Sequence, residues 1–292
     1  GAIRLRDDQG VFQRPAGGKR ATPPLIELPQ LLSASKAVEE NNETARDLEY
    51  LRGNGTSLGG LRPKCSILDT DGTLAIGKFP SVKDTRSIVH GEILALKLAA
   101  AAGIDAAQGR VVDAAGIPVA VIARFDRIAG KRLLYLSARS LMQAAPAQQY
   151  SYVDIADAIR MFSSQAAADL KELWRRMVFN ILINNVDDHL NNHGFLHHAH
   201  GQWKLAPAFD LNPFPDKARA LKTWIAEDSG DTASLAQAPA VAPLFGLSAP
   251  AAAAVLAEVQ AAVAGWRGVA AAIGMSAADI ASYAPAFEYP AS

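Results

Sequence analysis

Cysteine is nearly absent from this sequence: Cys65 is the single cysteine among 292 residues. One thiol cannot form an internal disulfide, and it cannot supply a cysteine-rich zinc site. Because Cys65 opens a short apolar strand pattern, we expect its thiol to be buried and structural. The sequence therefore excludes a disulfide-stabilised scaffold, and it fits the reducing conditions of the cytoplasm.

The sequence also lacks an excess of charge of either sign. Lysine and arginine together number 29, aspartate and glutamate together number 29, and the formal net charge is zero. A protein that holds nucleic acid by neutralising phosphates alone carries a clear basic excess. That class is excluded, while a local basic patch stays open.

Long hydrophobic runs are missing as well. The Ala-rich stretch of residues 250–274 is interrupted by Glu258, Gln260 and Arg267, so it predicts a packed helix and not a membrane span. We expect no signal peptide ahead of Gly1. The absence of an initiator Met indicates a processed, tagged or partial chain.

The chain does contain enough apolar sequence for a sizeable core, since 50% of its residues are hydrophobic. Strand-like alternation is frequent in the first part of the chain, and helical periodicity dominates the rest. We therefore predict an α+β fold of two lobes. The N-terminal lobe is expected over residues 1–125 and an all-helical C-terminal lobe over residues 126–292.

Individual elements follow from the same patterns and from turn and capping residues. Strands are predicted at residues 2–6, 11–14, 65–68, 73–79, 110–113 and 119–124. Helices are predicted at residues 29–40, 43–52, 87–102, 138–144, 151–163, 166–184, 249–273 and 276–283.

The most informative stretch follows the helix predicted at residues 166–184. It places Asp187, His189 and Asn192 in a D-x-H-x-x-N run. A carboxylate on a loop can accept a proton from a substrate hydroxyl, and an amide oxygen can bind Mg²⁺. One such cluster alone is more often a turn former that bonds its own backbone.

A second carboxylate strengthens the pattern. After a short hairpin predicted at residues 195–205, the chain reaches Phe209 and Asp210. A proton acceptor together with two oxygen ligands for Mg²⁺ is what phosphoryl transfer requires. The two segments together predict a phosphotransferase site.

This constellation resembles the HipA family of bacterial serine/threonine kinases, the toxins of HipA/HipB toxin–antitoxin pairs. Protein kinases use an H-R-D-x-x-x-x-N loop and a D-F-G segment, and here the order is changed to Asp-x-His-x-x-Asn followed by Phe-Asp. The resemblance covers roughly residues 57–215. It implies a two-lobed protein-kinase-like fold, with ATP and Mg²⁺ as cofactors.

The resemblance also implies roles for individual residues. Asp187 is the expected catalytic base, and Asn192 and Asp210 are the expected Mg²⁺ ligands. His189 and Phe209 are expected at the nucleotide.

A glycine-containing loop ahead of the strands at residues 65–79 is the expected phosphate-binding loop. Glycines between a helix and a strand let backbone N–H groups approach a phosphate, although most such pairs are simple turns. Lys78 lies near the end of the second strand, where an ammonium reaches nucleotide phosphates. In the HipA family this loop and lysine bind ATP, which implies nucleotide contacts by Gly59, Gly60, Leu61, Arg62, Pro63 and Lys64.

Ser57 stands just before this loop, and the family resemblance implies that it is a site of self-phosphorylation. A phosphate there would compete with ATP for the same N–H groups and lysines. Alternatively, the hydroxyl merely closes the preceding turn, or Thr56 takes the phosphate.

Two further features concern the nucleotide. Ala123, Arg124 and Phe125 resemble the hinge of the family, whose backbone holds adenine. They also fit an ordinary edge strand. Glu92, on the helix predicted at residues 87–102, either pairs with Lys78 or is solvated, and the sequence favours neither.

Three alternatives to this interpretation remain open. Asp188 is ambiguous with Asp187 by one residue, although the D-x-H spacing selects Asp187. A metal hydrolase or metal-binding site could use the histidines of this region, namely His189, His193, His197, His198 and His200. A degenerate kinase fold serving as a binding module would be expected to lose at least one of the site residues.

Partners follow from the resemblance only. It implies a protein substrate, such as an aminoacyl-tRNA synthetase whose phosphorylation halts translation. It also implies a HipB-like antitoxin, with DNA bound only through that antitoxin, and no membrane. The sequence lacks the small leading subdomain of full-length family members, which suggests a separate partner chain or a removed segment.

Overall fold

The computed structural model describes residues 28–40, 62–128 and 131–288, together with residues 8, 42 and 44. The strands predicted at residues 2–14 and the helix predicted at 43–52 lie outside the described residues. The chain forms two compact units. The first contains the described residues up to Ile93 and Gln108–Arg132, and the second contains Leu94–Ala107 and the described residues from Leu133 onward.

The first unit is built on a four-stranded antiparallel sheet with the order β1-β2-β4-β3. All four strands were predicted, and their bounds are β1 (Lys64–Leu68), β2 (Leu74–Lys78), β3 (Gly109–Ala114) and β4 (Ile117–Ala123). Gly72 closes the turn between β1 and β2 with a φ of 79°. Glycine adopts this conformation without steric cost.

Helix α1 (Leu28–Glu39) supplies the core of this unit. Its leucines cluster with the alternate residues Cys65 and Ile67 of β1, which share one face of the sheet. A Cβ on Gly77 would already lie 3.5 Å from Leu28 Cδ2. The helix therefore covers one face of the sheet closely.

The opposite face carries two lysines. The register of β1 and β2 pairs Lys64 with Lys78, and Cys65 with Gly77. Directly opposed residues point to the same side of a sheet. Both lysines therefore lie on the face that α1 does not cover, at one end of the hairpin.

Helix α2 (Ile88–Ala101) agrees with the predicted helix at residues 87–102. Gly103 follows its last turn with a left-handed φ of 73°, as expected just beyond a helix C-terminus. A short two-stranded ribbon of β5 (Arg127–Ile128) and β6 (Lys131–Arg132) completes the first unit.

The second unit contains a group of helices around a central one. They are α3 (Ala138–Leu141), α4 (Tyr152–Phe162), α5 (Ala166–Leu182) and α6 (Ala238–Val241). The second unit also contains three short 3₁₀ turns, at Glu227–Ser229, Leu235–Gln237 and Ala242–Phe245. The central helix, α5, buries the predicted stripe of Leu173, Trp174, Met177, Val178 and Ile181, which positions the loop that follows it.

The second unit also contains strands. These are β7 (Tyr135–Ser137), β8 (Gly194–Ala199) and β9 (Gln202–Leu205), in the order β7-β8-β9. The last two form the predicted hairpin. Gly194 is required in β8, because a Cβ there would lie 2.5 Å from Tyr135 Cε2. The mixed α+β character thus extends into the lobe that was expected to be helical.

The C-terminal part of the chain is helical. The single helix predicted at residues 249–273 is divided at Gly265 into α7 (Ala249–Ala264) and α8 (Trp266–Ala272), and α9 (Ala277–Phe287) follows. The break lets the buried Trp266 pack against Phe287 with a centroid distance of 4.6 Å.

No single helix in the described parts of the chain has both the length and the apolar character needed to cross a membrane. Judged by length and composition alone, the bent pair α7 and α8 passes this test together.

The compact units change at Arg132, and residues 94–107 belong to the second unit. The lobe boundary expected at residue 125 stays a prediction. That boundary was placed at the expected nucleotide hinge, whereas the two units are defined by their compactness.

Cys65 is buried, and burial raises the pKa of its thiol to about 12, although a hydrogen bond with the Gly77 backbone acts in the opposite direction. Because only the thiolate reacts with disulfide reagents, we expect no reaction of the native chain with 5,5′-dithiobis(2-nitrobenzoate) at pH 8. Full reaction is expected in denaturant. Ser33→Cys, on the exposed side of α1, is the reactive control, and equal rates for both thiols would contradict the fold around β1.

Candidate functional site

The loop that follows α5 starts from a fixed backbone. Asn184 takes a left-handed φ of 52°, which ends the helix and which asparagine tolerates better than most residues. Its Nδ2 donates to the carbonyl oxygens of Phe214 at 2.6 Å and Lys217 at 3.2 Å. The chain therefore leaves the helix already tied to the segment after Asp210.

Asp188 anchors the loop from inside. Its side chain is buried, and Oδ2 accepts hydrogen bonds from Tyr152 Oη and from Asn180 Nδ2 at 3.0 Å, and lies 2.8 Å from His193 Nε2. Its carbonyl oxygen accepts from Thr223 Oγ1 at 2.8 Å. This carboxylate is occupied by structural partners.

Tyr152 is the donor in that contact. Burial raises the pKa of Tyr152 well above its usual value, and the nearby charge of Asp188 raises it further. The phenol therefore stays protonated, and its O–H group donates a hydrogen bond to Asp188. Tyr152 also packs edge-on against His193, with 5.4 Å between the ring centroids.

Asp187 differs from its neighbour in exposure and in partner. Its side chain is 39% exposed, and Oδ1 forms an ion pair with Lys222 Nζ. That oxygen is itself buried and makes no hydrogen bond within the described part of the chain, so its contact with Lys222 is one of charge. Of the two adjacent carboxylates, Asp187 is the more exposed.

Asn192 returns to Asp187 through a tight turn. Its backbone N–H donates to the His189 carbonyl at 2.7 Å, and its Nδ2 lies 3.4 Å from the Asp187 carbonyl. The D-x-H-x-x-N run thus closes on itself. Asp187, the expected base, and Asn192, the expected amide ligand, are therefore neighbours.

A chain of side-chain amides connects the Asp210 segment to this loop. Asn185 Nδ2 donates to Asn180 Oδ1 at 3.0 Å, and Asn185 Oδ1 accepts from the backbone of Asn212 at 3.4 Å. Asn212 Nδ2 in turn donates to the Asp210 carbonyl at 3.1 Å. Asp210 has a left-handed φ of 57°, which a non-glycine residue adopts only when its surroundings hold it there.

Oxygen ligands in this arrangement fit Mg²⁺ better than they fit zinc. The expected ligands are one amide, from Asn192, and one carboxylate, from Asp210, and Mg²⁺ prefers hard oxygen donors completed by phosphates and water. Among the described residues, no group of three or more histidine, cysteine, aspartate or glutamate side chains could hold a metal ion.

The histidine-rich metal site is therefore contradicted. His193 binds Asp188, and His197 packs against Trp203 with 5.5 Å between the ring centroids. His198 and His200 are exposed at the end of the hairpin. The histidines are close in sequence, but they differ in burial and have different partners.

One ring nitrogen of His189 indicates a ligand-binding role. Its Nδ1 atom is buried and has no hydrogen-bond partner within the described residues. Buried polar atoms are normally paired in native proteins. An orphaned ring nitrogen beside the D-x-H run fits the expectation that His189 meets a bound nucleotide.

The first unit holds its expected nucleotide lysine in an ion pair. Lys78 Nζ lies 2.6 Å from Glu92 Oε1, and the two side chains are 16% and 5% exposed. The sequence left open whether Glu92 pairs with Lys78, and the structure shows that it does. Breaking such a pair leaves an uncompensated buried charge, so the lysine is firmly held.

The hinge-like segment is fixed by backbone and side-chain contacts within the first unit. Ala123 N donates to the Gln108 carbonyl at 2.8 Å. The Arg124 guanidinium binds both carboxylate oxygens of Asp126 at 2.9 and 2.8 Å. Burial raises the pKa of Asp126, but the hydrogen bond and charge of Arg124 and the charge of Arg127 outweigh it and lower the pKa.

The loop expected to bind phosphate is described only in part. Ser57, Gly59, Gly60 and Leu61 lie outside the described residues. Arg62 forms an ion pair with Asp84, and Pro63 continues into β1, where Phe79 N donates to its carbonyl at 3.0 Å.

Sequence reasoning missed several residues of the site. Lys222, Tyr152, Asn180, Asn185, Asn212 and Thr223 were not singled out. Asn185 directly precedes the motif, and its polarity after an apolar helix was a usable signal. Lys222 carried none, because it is far from Asp187 in sequence and lies in residues 206–226, which form no helix or strand.

Comparisons with known proteins identify relatives of this chain. Residues 56–266 match the family model described as HipA-like C-terminal domain. A putative kinase, Y4mE, of Sinorhizobium fredii is 28% identical over an alignment of 181 residues, and the match covers 53% of this chain and 41% of that protein. A putative kinase of Haemophilus influenzae is 26% identical over an alignment of 187 residues, and the match covers 56% of this chain and 54% of that protein. The chain therefore spans about half or less of the length of these relatives.

Two solved structures share the fold. HipA of Shewanella oneidensis, in a complex with HipB and operator DNA, has a TM-score of 0.68 at 16% identity and covers 95% of this chain and 72% of its own. The proinflammatory kinase CtkA of Helicobacter pylori has a TM-score of 0.55 at 12% identity and covers 77% of this chain and 88% of its own. The predicted kinase-like α+β fold is confirmed.

The different surroundings of Asp187 and Asp188 lead to a stability test. Asp188→Ala should lower the free energy of unfolding by about 3 kcal/mol or more, because three buried side chains lose a polar partner at about 1–3 kcal/mol each. Asp187→Ala should change it by less than about 1 kcal/mol, since exposed ion pairs contribute little. Urea unfolding followed by circular dichroism measures both, and equal losses would contradict the assignment of Asp188 as the structural carboxylate.

Proposed function

This chain belongs to the family of HipA-like C-terminal domains, and from that premise we propose that it is an ATP- and Mg²⁺-dependent serine/threonine protein kinase. The observation that carries the proposal is the ion pair of Lys78 with Glu92 at 2.6 Å. In protein kinases a strand lysine held by a helix glutamate contacts the nucleotide phosphates. A degenerate binding module would have little use for this largely buried pair.

Asp187 is proposed as the base for transfer. The acceptor hydroxyl oxygen bonds to the γ-phosphorus, and the bond from that phosphorus to the bridging oxygen of ADP breaks. The hydroxyl proton passes to the Asp187 carboxylate. The partial exposure of Asp187 supports this role, and the burial of Asp188 argues against Asp188 as the base.

Asn192 and Asp210 would hold Mg²⁺. Bound between them and the nucleotide, the ion would neutralise phosphate charge. Two contacts support this assignment, because they hold both side chains in place: Asp210 Oδ1 accepts from Asn212 Nδ2 at 3.4 Å, and Asn192 Nδ2 lies 3.4 Å from the Asp187 carbonyl.

The remaining nucleotide contacts are proposed from the resemblance. Gly59, Gly60 and Leu61 would provide backbone N–H groups, and Lys64 would add charge on the sheet face that carries Lys78. Arg62 and Pro63 belong to the same loop. The adenine ring would be contacted by Ala123, Arg124 and Phe125. Arg124 would act through its backbone, because its side chain is bound to Asp126. His189 and Phe209 would complete the site.

The acceptor and partners are also proposals. The family resemblance favours a translation factor such as an aminoacyl-tRNA synthetase, and it favours Ser57 of this chain as a second acceptor. The Shewanella oneidensis HipA structure contains HipB and operator DNA. For this chain we propose a HipB-like antitoxin, with DNA contacted only through it.

Mg²⁺-ATP should raise the melting temperature. A ligand bound only by the folded state at a hundred times its Kd adds about 2.7 kcal/mol of stability. Asp210→Asn should reduce the gain by weakening the metal site, and Asp157→Asn, an exposed change on α4, should leave it intact. Differential scanning fluorimetry with Mg²⁺ alone as the blank measures this, and an unchanged melting curve at saturating Mg²⁺-ATP would contradict nucleotide binding.

Asp187→Ala should abolish transfer while preserving the thermal shift, because Asp187 acts on the hydroxyl and not on the metal. Intact-mass analysis after incubation with Mg²⁺-ATP should find phosphate on the unmodified chain and none on the variant. Ser57→Ala should remove that phosphate without preventing ADP release. Normal transfer by Asp187→Ala would sink the proposed base, whereas phosphate at another residue would correct only the acceptor.

A further inference from the structure

Lys222 lies beside Asp187 because the backbone around it is fixed. Lys222 N donates to the Val186 carbonyl at 3.3 Å, and Thr223 N donates to the Asp188 carbonyl at 3.1 Å. On the other side, Gln149 Nε2 donates to the Lys222 carbonyl at 2.7 Å. The segment is therefore held against the D-x-H loop along its length.

The ion pair of Lys222 with Asp187 contributes little to stability. The two side chains are 58% and 39% exposed, and exposed pairs typically contribute between zero and about 1 kcal/mol. Two backbone–backbone hydrogen bonds and one from the Gln149 side chain place a lysine here without a structural need for its charge. The arrangement calls for another explanation.

The surroundings of the pair supply that explanation. Lys222 borders a cavity of about 630 Å³ in the second unit, which is also lined by Arg139, Tyr150, His189 and Trp224. A space of this size accommodates several side chains of an incoming segment. The ion pair therefore lies at the wall of an open space, beside the carboxylate proposed as the base.

We propose that Lys222 is a positioning residue for phosphoryl transfer, which holds the carboxylate of Asp187 in one orientation through its ammonium group. This inference rests on the proposed kinase function. A half-exposed aspartate on a loop can occupy several rotamers, and a fixed cation selects one of them. Misplacing a reacting group by about 1 Å can cost a factor on the order of 100 in rate.

Lys222 keeps its proton throughout the step. The acceptor proton goes to Asp187, and the electron pair of the broken phosphorus–oxygen bond leaves with ADP. The ammonium thus acts by charge and geometry alone. A side chain of the same length and charge should replace it, and a neutral one should not.

Lys222→Ala should lower kcat for ADP release by about 10- to 100-fold, with the KM for ATP changed by less than about twofold. Lys222→Arg should recover part of the loss. Lys171→Ala removes an exposed lysine of α5 and is the matched control, with unchanged kcat. The melting temperature of Lys222→Ala should match that of the unmodified chain.

Chemical rescue separates charge from structure. Lys222→Cys should be as slow as Lys222→Ala, and alkylation with 2-bromoethylamine should restore kcat by creating a lysine-like side chain. Iodoacetamide adds a neutral group of similar size and should not restore it. Cys65 does not interfere, because it is buried and its pKa is raised to about 12.

Four outcomes would overturn the inference. A normal kcat for Lys222→Ala would leave the kinase proposal standing and remove the role of Lys222. An increased kcat would make the ion pair inhibitory, and a loss that aminoethylation cannot restore would make it structural. No ADP release and no phosphorylation by the unmodified chain would refute the proposed function and this inference together.

Discussion

The second unit depends on one buried carboxylate, that of Asp188. A buried charge is tolerated only when its hydrogen-bonding capacity is met, and here Tyr152, Asn180 and His193 all meet it. These partners come from α4, from α5 and from the end of the loop itself. One side chain therefore connects two helices and both ends of the D-x-H-x-x-N run.

The same constraint explains why two consecutive aspartates take different roles. Asp188 is fixed inward by its buried partners, and Asp187, which precedes it in the turn, is left half-exposed beside Lys222. The position of Asp187 is thus tied to the interior network. The network then continues from Asn180 through Asn185 to Asn212 and Asp210, which couples the second carboxylate segment to the same buried charge.

Much of the fold followed from the sequence where local periodicity decides structure. The core stripe of α5, the β8–β9 hairpin and the four strands of the first sheet are set by neighbouring residues. The break at Gly265 and the strand β7 were not predicted, because they depend on what Trp266 and Gly194 pack against. Within the site, the motif identified Asp187, Asn192 and Asp210 as candidates, yet their roles remain proposals. Tyr152 and Lys222 approach from distant segments, and no local pattern marks such contacts.

The histidines illustrate why spacing alone misleads in this region. His189 and His193 are four residues apart, a spacing that would place both on one face of a helix. The helix has already ended before Asn184, and the turn closed by Asn192 lies between the two histidines. His193 then contacts the buried carboxylate of Asp188, while the buried Nδ1 of His189 has no hydrogen-bond partner among the residues that the structure describes. Identical side chains in one short motif therefore acquire different chemistry from their burial, and a hypothesis about either must begin with the partner that its ring nitrogens have or lack.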